Sequence, residues 1–319
     1  MRSCVALGLI DLRETDMRLY THPEYLNHLV MDGHPERPER LSYLMNHLQK
    51  LGLTDDFELV KPRAIPQERI LAAHSQDHLD FLLASQPEEG MLPLDPDTWM
   101  STHSMNAAKL AAGAVFEGMD CVLNGPDQRV FCAVRPPGHH AEANGAMGFC
   151  LLNSVAIAAI AALDHADVSR VAILDFDVHH GNGTVDICRH HAEILVCSSF
   201  QHPYYPNRMD DLIQPNIVNT PLDAGSDGSV FRAAIERDWL PALEAHKPDI
   251  IFVSAGFDAH AEDPLANLNL REDDYRWVTQ FIVAMANQYA EGRIVSTLEG
   301  GYDLDALARS VTAHLQTLA

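Results

Sequence analysis

From Gln128 onward, apolar runs of strand length alternate with segments of helical period, and this alternation constrains the fold more than any other feature of the chain. The strand-length runs are RVFCAV (Arg129–Val134), RVAILDF (Arg170–Phe176), EILVCS (Glu193–Ser198), DIIFVSA (Asp249–Ala255) and RIVSTLE (Arg293–Glu299). Between them, SVFRAAIERDWLPALEAH places Phe231, Ile235, Trp239 and Leu243 on one helical face, and YRWVTQFIVAMANQYA does the same with Val278, Ile282 and Met285. SVAIAAIAAL and LDALARSVTAHLQTL supply two more helices. Strand, helix, strand, helix predicts an α/β fold with a parallel sheet covered on both faces. The part before Gly125 reads as more helical, with Pro38 near the first turn of HPERPERLSYLMNHL. No repeat or linker interrupts the 319 residues, so one domain over 1–319 is expected.

Composition excludes several classes. The formal net charge of −23 opposes binding to a phosphate backbone, which needs clustered Lys and Arg, so no nucleic-acid partner is expected. It favours solubility and the attraction of cationic partners. The six cysteines form no CxxC pair and read as reduced, packed thiols. MRSCVALGLIDLRE lacks the pattern of a secretory signal and reads as a first strand. No apolar run reaches membrane-spanning length, so a soluble cytoplasmic protein without a membrane partner is expected; an oligomer is compatible with the sequence.

The chemistry gathers where the strands end. After RVFCAV come His139 and His140; after RVAILDF come Asp177, His179 and His180; after DIIFVSA comes Asp258; after RIVSTLE comes Tyr302. In open α/β sheets these carboxyl ends are where ligands sit. Residues two apart on an extended chain share a face, so Asp175, Asp177 and His179 point one way and Phe176 and Val178 the other. One imidazole and one carboxylate from this strand, with Asp258 from another, make three N/O ligands and leave a fourth position open, the pattern of a catalytic zinc; Mn or Fe(II) suits the same donors. Taken singly, Asp258 could cap a helix, His180 could be a packed histidine and Tyr302 a half-buried surface aromatic; their convergence argues for a site.

The His139–His140 pair supplies a proton acceptor and donor, with Asp175 available to one imidazole and the neutral amide of Asn182 to the other. Unequal partners predict unequal basicity. Gly300 and Gly301 are read as freedom for Tyr302 to swing over the site and donate a hydrogen bond to a carbonyl oxygen. Together these groups describe hydrolysis of an amide or ester.

The segments GHPERPERL, RPPGHHAEANGAMGFCLLNSVAIAA, LDFDVHHGNGT, HPYYP, SAGFDAHAEDPLANLNL and LEGGYD resemble the histone deacetylase superfamily, including bacterial deacetylase-like amidohydrolases and acetoin-utilisation proteins. RPPGHH and Asn182 resemble its class II branch. The resemblance implies a single three-layer α/β domain with an eight-stranded parallel sheet, arginase-like. It implies zinc on Asp177, His179 and Asp258, and potassium near Asp175, Asp177, His179 and Ser198. His140 is implied as general base and acid, His139 as its electrostatic partner, and Tyr302 as the group that polarises the acyl carbonyl. The substrate-facing set is Gly148, Phe149, Tyr205, Leu265 and Gly301, with Tyr205 standing where relatives often carry phenylalanine. Arg37 is read as reaching an inner channel, and the region of His103 as tunnel rim.

The expected partner is an acyl-lysine protein or peptide, or another acylated amine. Leu265 stands where acetylpolyamine-specific relatives carry glutamate, and an apolar wall offers nothing to a second ammonium group. An acetylpolyamine amidohydrolase and a non-catalytic acyl-lysine-binding module are the alternatives. A binuclear ureohydrolase would need more bridging carboxylates and gives Tyr302 no role.

Overall fold

Each of the five apolar runs forms a strand in the computed structural model, which describes residues 17–125 and 127–319. The strand expected within the first 14 residues lies outside those described. The strands are β1 (Met17–Tyr20), β2 (Phe57–Val60), β3 (Met91–Pro93), β4 (Trp99–Ser101), β5 (Arg129–Cys132), β6 (Val171–Asp175), β7 (Ile194–Gln201), β8 (Ile217–Leu222), β9 (Ile250–Ala255) and β10 (Ile294–Leu298). The helices are α1 (Glu39–Lys50), α2 (Gln67–Ala73), α3 (Gln76–Ser85), α4 (Ser104–Asn124), α5 (Ser154–Ala162), α6 (Asn182–Cys188), α7 (Gly228–His246), α8 (Glu272–Tyr289) and α9 (Leu304–Leu318).

Eight strands form one parallel sheet in the order β2-β1-β5-β10-β9-β6-β7-β8, and β3 pairs with β4 in a separate hairpin. The central strands β6, β9 and β10 are buried at every position, which their unbroken apolar runs require. Helices α1, α7, α8 and α9 contact one another in one layer, and α2, α4, α5 and α6 in another. Helix α5 is apolar around nearly its whole circumference, because it lies under α2 and α4 and also meets β6 and β9.

This order creates a switch point. From β6 the chain proceeds outward through β7 to β8, and from β9 it proceeds the opposite way to β10, while β6 and β9 are hydrogen-bonded neighbours. Their carboxyl ends therefore open a crevice between diverging connections, the place where α/β sheets bind ligands. Two helices are capped beside it. Asn153 Oδ1 accepts from Ala156 N (2.9 Å) at the start of α5, and Asp303 Oδ1 accepts from Ala306 N (2.8 Å) at the start of α9. No helix of the described residues is long and apolar enough to cross a membrane.

Candidate active site

Strand β6 stops at Asp175, yet the alternation expected beyond it persists. Asp175 Oδ1 accepts from Asp177 N (3.1 Å) and Asp177 Oδ1 accepts from His179 N (2.9 Å). Two successive side-chain-to-backbone turns thus carry the acids and the imidazole forward together. Phe176 turns to the core against Phe257 (ring centroids 5.8 Å). Asp258, at the end of β9, does not cap a helix; its Oδ1 accepts from Val178 N (2.9 Å) and ties the two loops together.

Asp177, His179 and Asp258 bring their ligand atoms within 4.8 Å of one another. His179 Nδ1 lies 3.1 Å from both Asp177 Oδ1 and Asp258 Oδ2. Asp258 Oδ2 is buried and has no hydrogen-bond donor among the described residues. Burial and the neighbouring Asp177 push the Asp258 carboxyl above its ordinary range. Two desolvated carboxylates side by side, one with an unsatisfied oxygen, need a cation to be stable together. The donor set of two carboxylates and one imidazole fits a zinc with an open coordination position, and suits Fe(II) or Mn as well. Gly300 is required here by close approach, since a Cβ at that position would collide with the carboxylates of Asp258 and Asp177.

The two histidines stand with ring centroids 4.0 Å apart. His139 Nδ1 donates to Asp175 Oδ2 (2.9 Å) and His140 Nδ1 donates to Asn182 Oδ1 (2.7 Å). The Asn182 amide is oriented by its Nδ2, which donates to Glu142 Oε1 (2.7 Å). Burial opposes the His139 cation, but Asp177, Asp175 and the hydrogen bond to Asp175 outweigh it and hold His139 well above the ordinary imidazole value. Burial, with the charges of His139 and His179, holds His140 well below it. The loop bearing the pair is braced from behind: Glu299 Oε2 accepts from Gly138 N (2.7 Å) and His139 N (3.2 Å).

A pocket of about 170 Å³ opens onto His140, His179 and Tyr302. Its walls are Gly148, Phe149, Tyr204, Tyr205 and Leu265, with Asp97 also in the lining. Tyr205 stands edge-on to His140 (5.3 Å) and Phe149 edge-on to Tyr302 (5.8 Å). Phe149 sits at φ +68°, a conformation that costs about 1–3 kcal/mol for a residue with a side chain. It is held there by Thr98 Oγ1, which accepts from Phe149 N (3.2 Å), and by the His34 ring at 4.7 Å. Burial and Asp258 raise the Tyr302 phenol well above its ordinary value, so its hydroxyl keeps its proton.

Several expectations are relocated. Tyr302 is not on a swinging loop. Arg40 Nε donates to the Gly301 carbonyl (2.6 Å), Arg40 Nη2 donates to the Glu299 carbonyl (2.5 Å), and the guanidinium lies 4.8 Å from the Tyr302 ring centroid. Gly301 is needed for its φ of +126°, and its carbonyl faces Arg40, outside the pocket lining. Arg37 is exposed, and the arginine that reaches inward is Arg40. Arg40 pairs with Glu36 (3.0 Å), which also takes Arg135 (2.5 Å). Burial works against the Glu36 charge, but the two arginines pull its carboxyl down to about 2. Helical spacing carries the missed signal, since Arg40 shares a face with Leu44 and Leu48. His180 is a packed histidine, edge-on to Phe200 (4.6 Å) and bonded to Asn219 (3.0 Å). His103 faces Glu24 (2.8 Å) at the start of α4, and the pocket is lined by other residues. Asp175 and Ser198 are register partners on β6 and β7.

The histone deacetylase domain model matches residues 34–318. The chain is 44% identical over 301 residues to the uncharacterized protein slr0245 of Synechocystis sp., covering 92% of this chain and 97% of that one. It is 36% identical over 277 residues to the histone deacetylase-like amidohydrolase of Pseudomonas aeruginosa, covering 85% and 73%. The crystal structure of the HDA15 HD domain matches with a TM-score of 0.87 at 31% identity, over 95% of this chain and 90% of that one. The match from His34 to Leu318 takes in every strand of the sheet but β1, the candidate ligand triad, both histidines and the Tyr302 loop, and the chain belongs to the histone deacetylase family.

Proposed function

We propose that this deacetylase-family protein is a zinc-dependent hydrolase that removes acetyl groups from lysine side chains or similar amines. One observation carries the reading: His140, His179 and Tyr302 face a single aromatic-walled pocket of about 170 Å³. Asp177, His179 and Asp258 would hold the zinc, with potassium near Asp175 and Ser198. Bound there, zinc supplies Lewis acidity, which makes hydroxide available near neutrality and polarises a carbonyl.

The chain's own residues do the rest. Phe149 and Tyr205 clasp the methylene stem of the substrate, and Leu265 gives an apolar flank. His140 is neutral, with Nδ1–H committed to Asn182, so its Nε2 takes a proton from the attacking water. His139 stays cationic beside it and keeps that imidazole from protonating early. Tyr302 donates its hydroxyl hydrogen bond to the acyl oxygen as charge builds there. His140 then returns its proton to the leaving amine, and an amine and a carboxylate are released.

The test is a panel of acetyl-lysine peptides and acetylated polyamines offered to zinc-loaded protein. Peptides are expected to turn over faster than polyamines, because Leu265 presents no carboxylate. Tyr302→Phe should lower kcat by about 10²-fold or more with zinc retained, the scale of one lost oxyanion donor. Peptide binding without hydrolysis by the native protein would replace the enzyme with a reader of acylated lysine.

A further inference from the structure

Asp263 is buried, with 8% of its surface exposed, and its hydrogen bonds all come from backbone N–H groups. Its Oδ2 accepts from Tyr302 N (2.7 Å) and Asp303 N (3.3 Å), and its Oδ1 accepts from Leu265 N (3.0 Å). Among the described residues no Lys, Arg or His side chain bonds to it. A buried carboxylate without a cation is costly, and a turn that needed only one acceptor would be served by asparagine or serine. What this site needs is an acceptor at both ends. One end holds the segment that carries Tyr302, and the other holds Leu265, one of the residues of the pocket wall.

The remaining backbone bonds of that segment explain why this matters. Gly300 N donates to Asp177 Oδ2 (2.9 Å), and the Gly300 carbonyl accepts from Phe257 N (2.9 Å). Arg40 takes the carbonyls of Glu299 and Gly301. The loop is therefore fixed up to Gly301 by other groups, and Asp263 alone receives the N–H groups of Tyr302 and Asp303. On its far side, the Leu265 carbonyl accepts from the Tyr204 hydroxyl (2.7 Å), and Tyr204 stacks on His179 (5.8 Å).

We infer that Asp263 is a positioning residue. Its carboxylate sets the placement of the Tyr302 hydroxyl relative to the pocket wall at Leu265, and it does so through the backbone without touching substrate. This deepens the deacetylase reading and rests on it. Loss of the clamp leaves two buried N–H groups unpaired at the catalytic tyrosine, and misplacement by about 1 Å is enough to cost about 10²-fold in rate.

The test is Asp263→Asn, which preserves shape but puts an N–H₂ at one end of the clamp. With zinc content unchanged and the variant still folded, kcat should fall about 10- to 10²-fold and KM should change by less than about threefold. In a Tyr302→Phe background the same substitution should change kcat less than about twofold, because both changes remove one contribution. Asp263→Glu, which keeps two acceptors, should recover part of the loss. Backbone amide exchange, read without any substrate, should rise about tenfold or more at Tyr302 and Asp303 while β10 is unchanged. Additive losses in the double variant, or unchanged exchange at those two amides, overturn the proposal. If the native protein hydrolyses no acylated amine, the deacetylase reading fails, and the exchange data still decide whether the clamp exists.

Discussion

His139 and His140 are neighbours in sequence and lie 4.0 Å apart in space, yet the structure drives their basicity in opposite directions. Both are buried, so desolvation disfavours the cation in each. The difference is in the partners. His139 faces the Asp175 carboxylate at 2.9 Å and has Asp177 nearby, whereas His140 faces an amide and the His139 cation. One imidazole is kept charged and the other is kept free to accept a proton. Identical side chains are thus suited to separate roles, because a carboxylate and an amide respond differently to charge.

The comparison can be broken at each end. The largest effect is expected for His140→Ala, which removes the proposed proton acceptor and should lower kcat by about 10³- to 10⁴-fold with zinc content unchanged. A loss equal to that of His139→Ala would erase the proposed division of roles.

The second prediction concerns pH. As the proposed general base, His140 works only when neutral, and burial with the charge of His139 holds its pKa well below the usual imidazole value. A cation on the ligand triad pushes the same way. The acidic limb of kcat/KM should therefore lie below about pH 6.5, with activity lost only as pH falls through the depressed value. Asn182→Asp supplies the missing carboxylate, favours imidazolium and should move that limb upward by about one pH unit or more. A limb that does not move would mean another group controls it.

The smallest effect is expected for Asp175→Asn. Its amide still accepts from His139 but no longer stabilises the cation, so kcat should fall about tenfold, and the acidic limb should move upward as the charge beside His140 weakens. Full activity in this variant would remove the His139 charge from the mechanism.

Much of this was readable along the chain because it is local. The central strands announce themselves as apolar runs, and the segment that follows the strand after Arg170 carries two of the three candidate ligands at a spacing of two. The strands β1, β2 and β8 are less visible. β2 and β8 form the edges of the sheet and keep exposed positions, so their composition is mixed, and β1 is a short MRLY. The HPERPER segment showed that an arginine mattered, but the choice between Arg37 and Arg40 depends on which turn of chain meets the core. The two glycines before Tyr302 looked like a hinge. In the fold, Gly300 admits two carboxylates and Gly301 adopts a positive φ, while Arg40 and Asp263 immobilise the loop.

The sequence by itself determined the fold class, the family, and which residues can ligate a metal or move a proton, since those follow from residue identity and short-range period. Only the tertiary structure decided how burial and neighbouring charge bias each imidazole, and the posture of Tyr302. The reason is distance along the chain: His139 meets Asp175 from 36 residues away, Tyr302 is tethered by Asp263 across 39, and Arg40 reaches Gly301 across 261. Charge, burial and unpaired hydrogen bonds at such meetings exist only once the sheet has assembled, because the low-dielectric surroundings that give them weight are made by the fold.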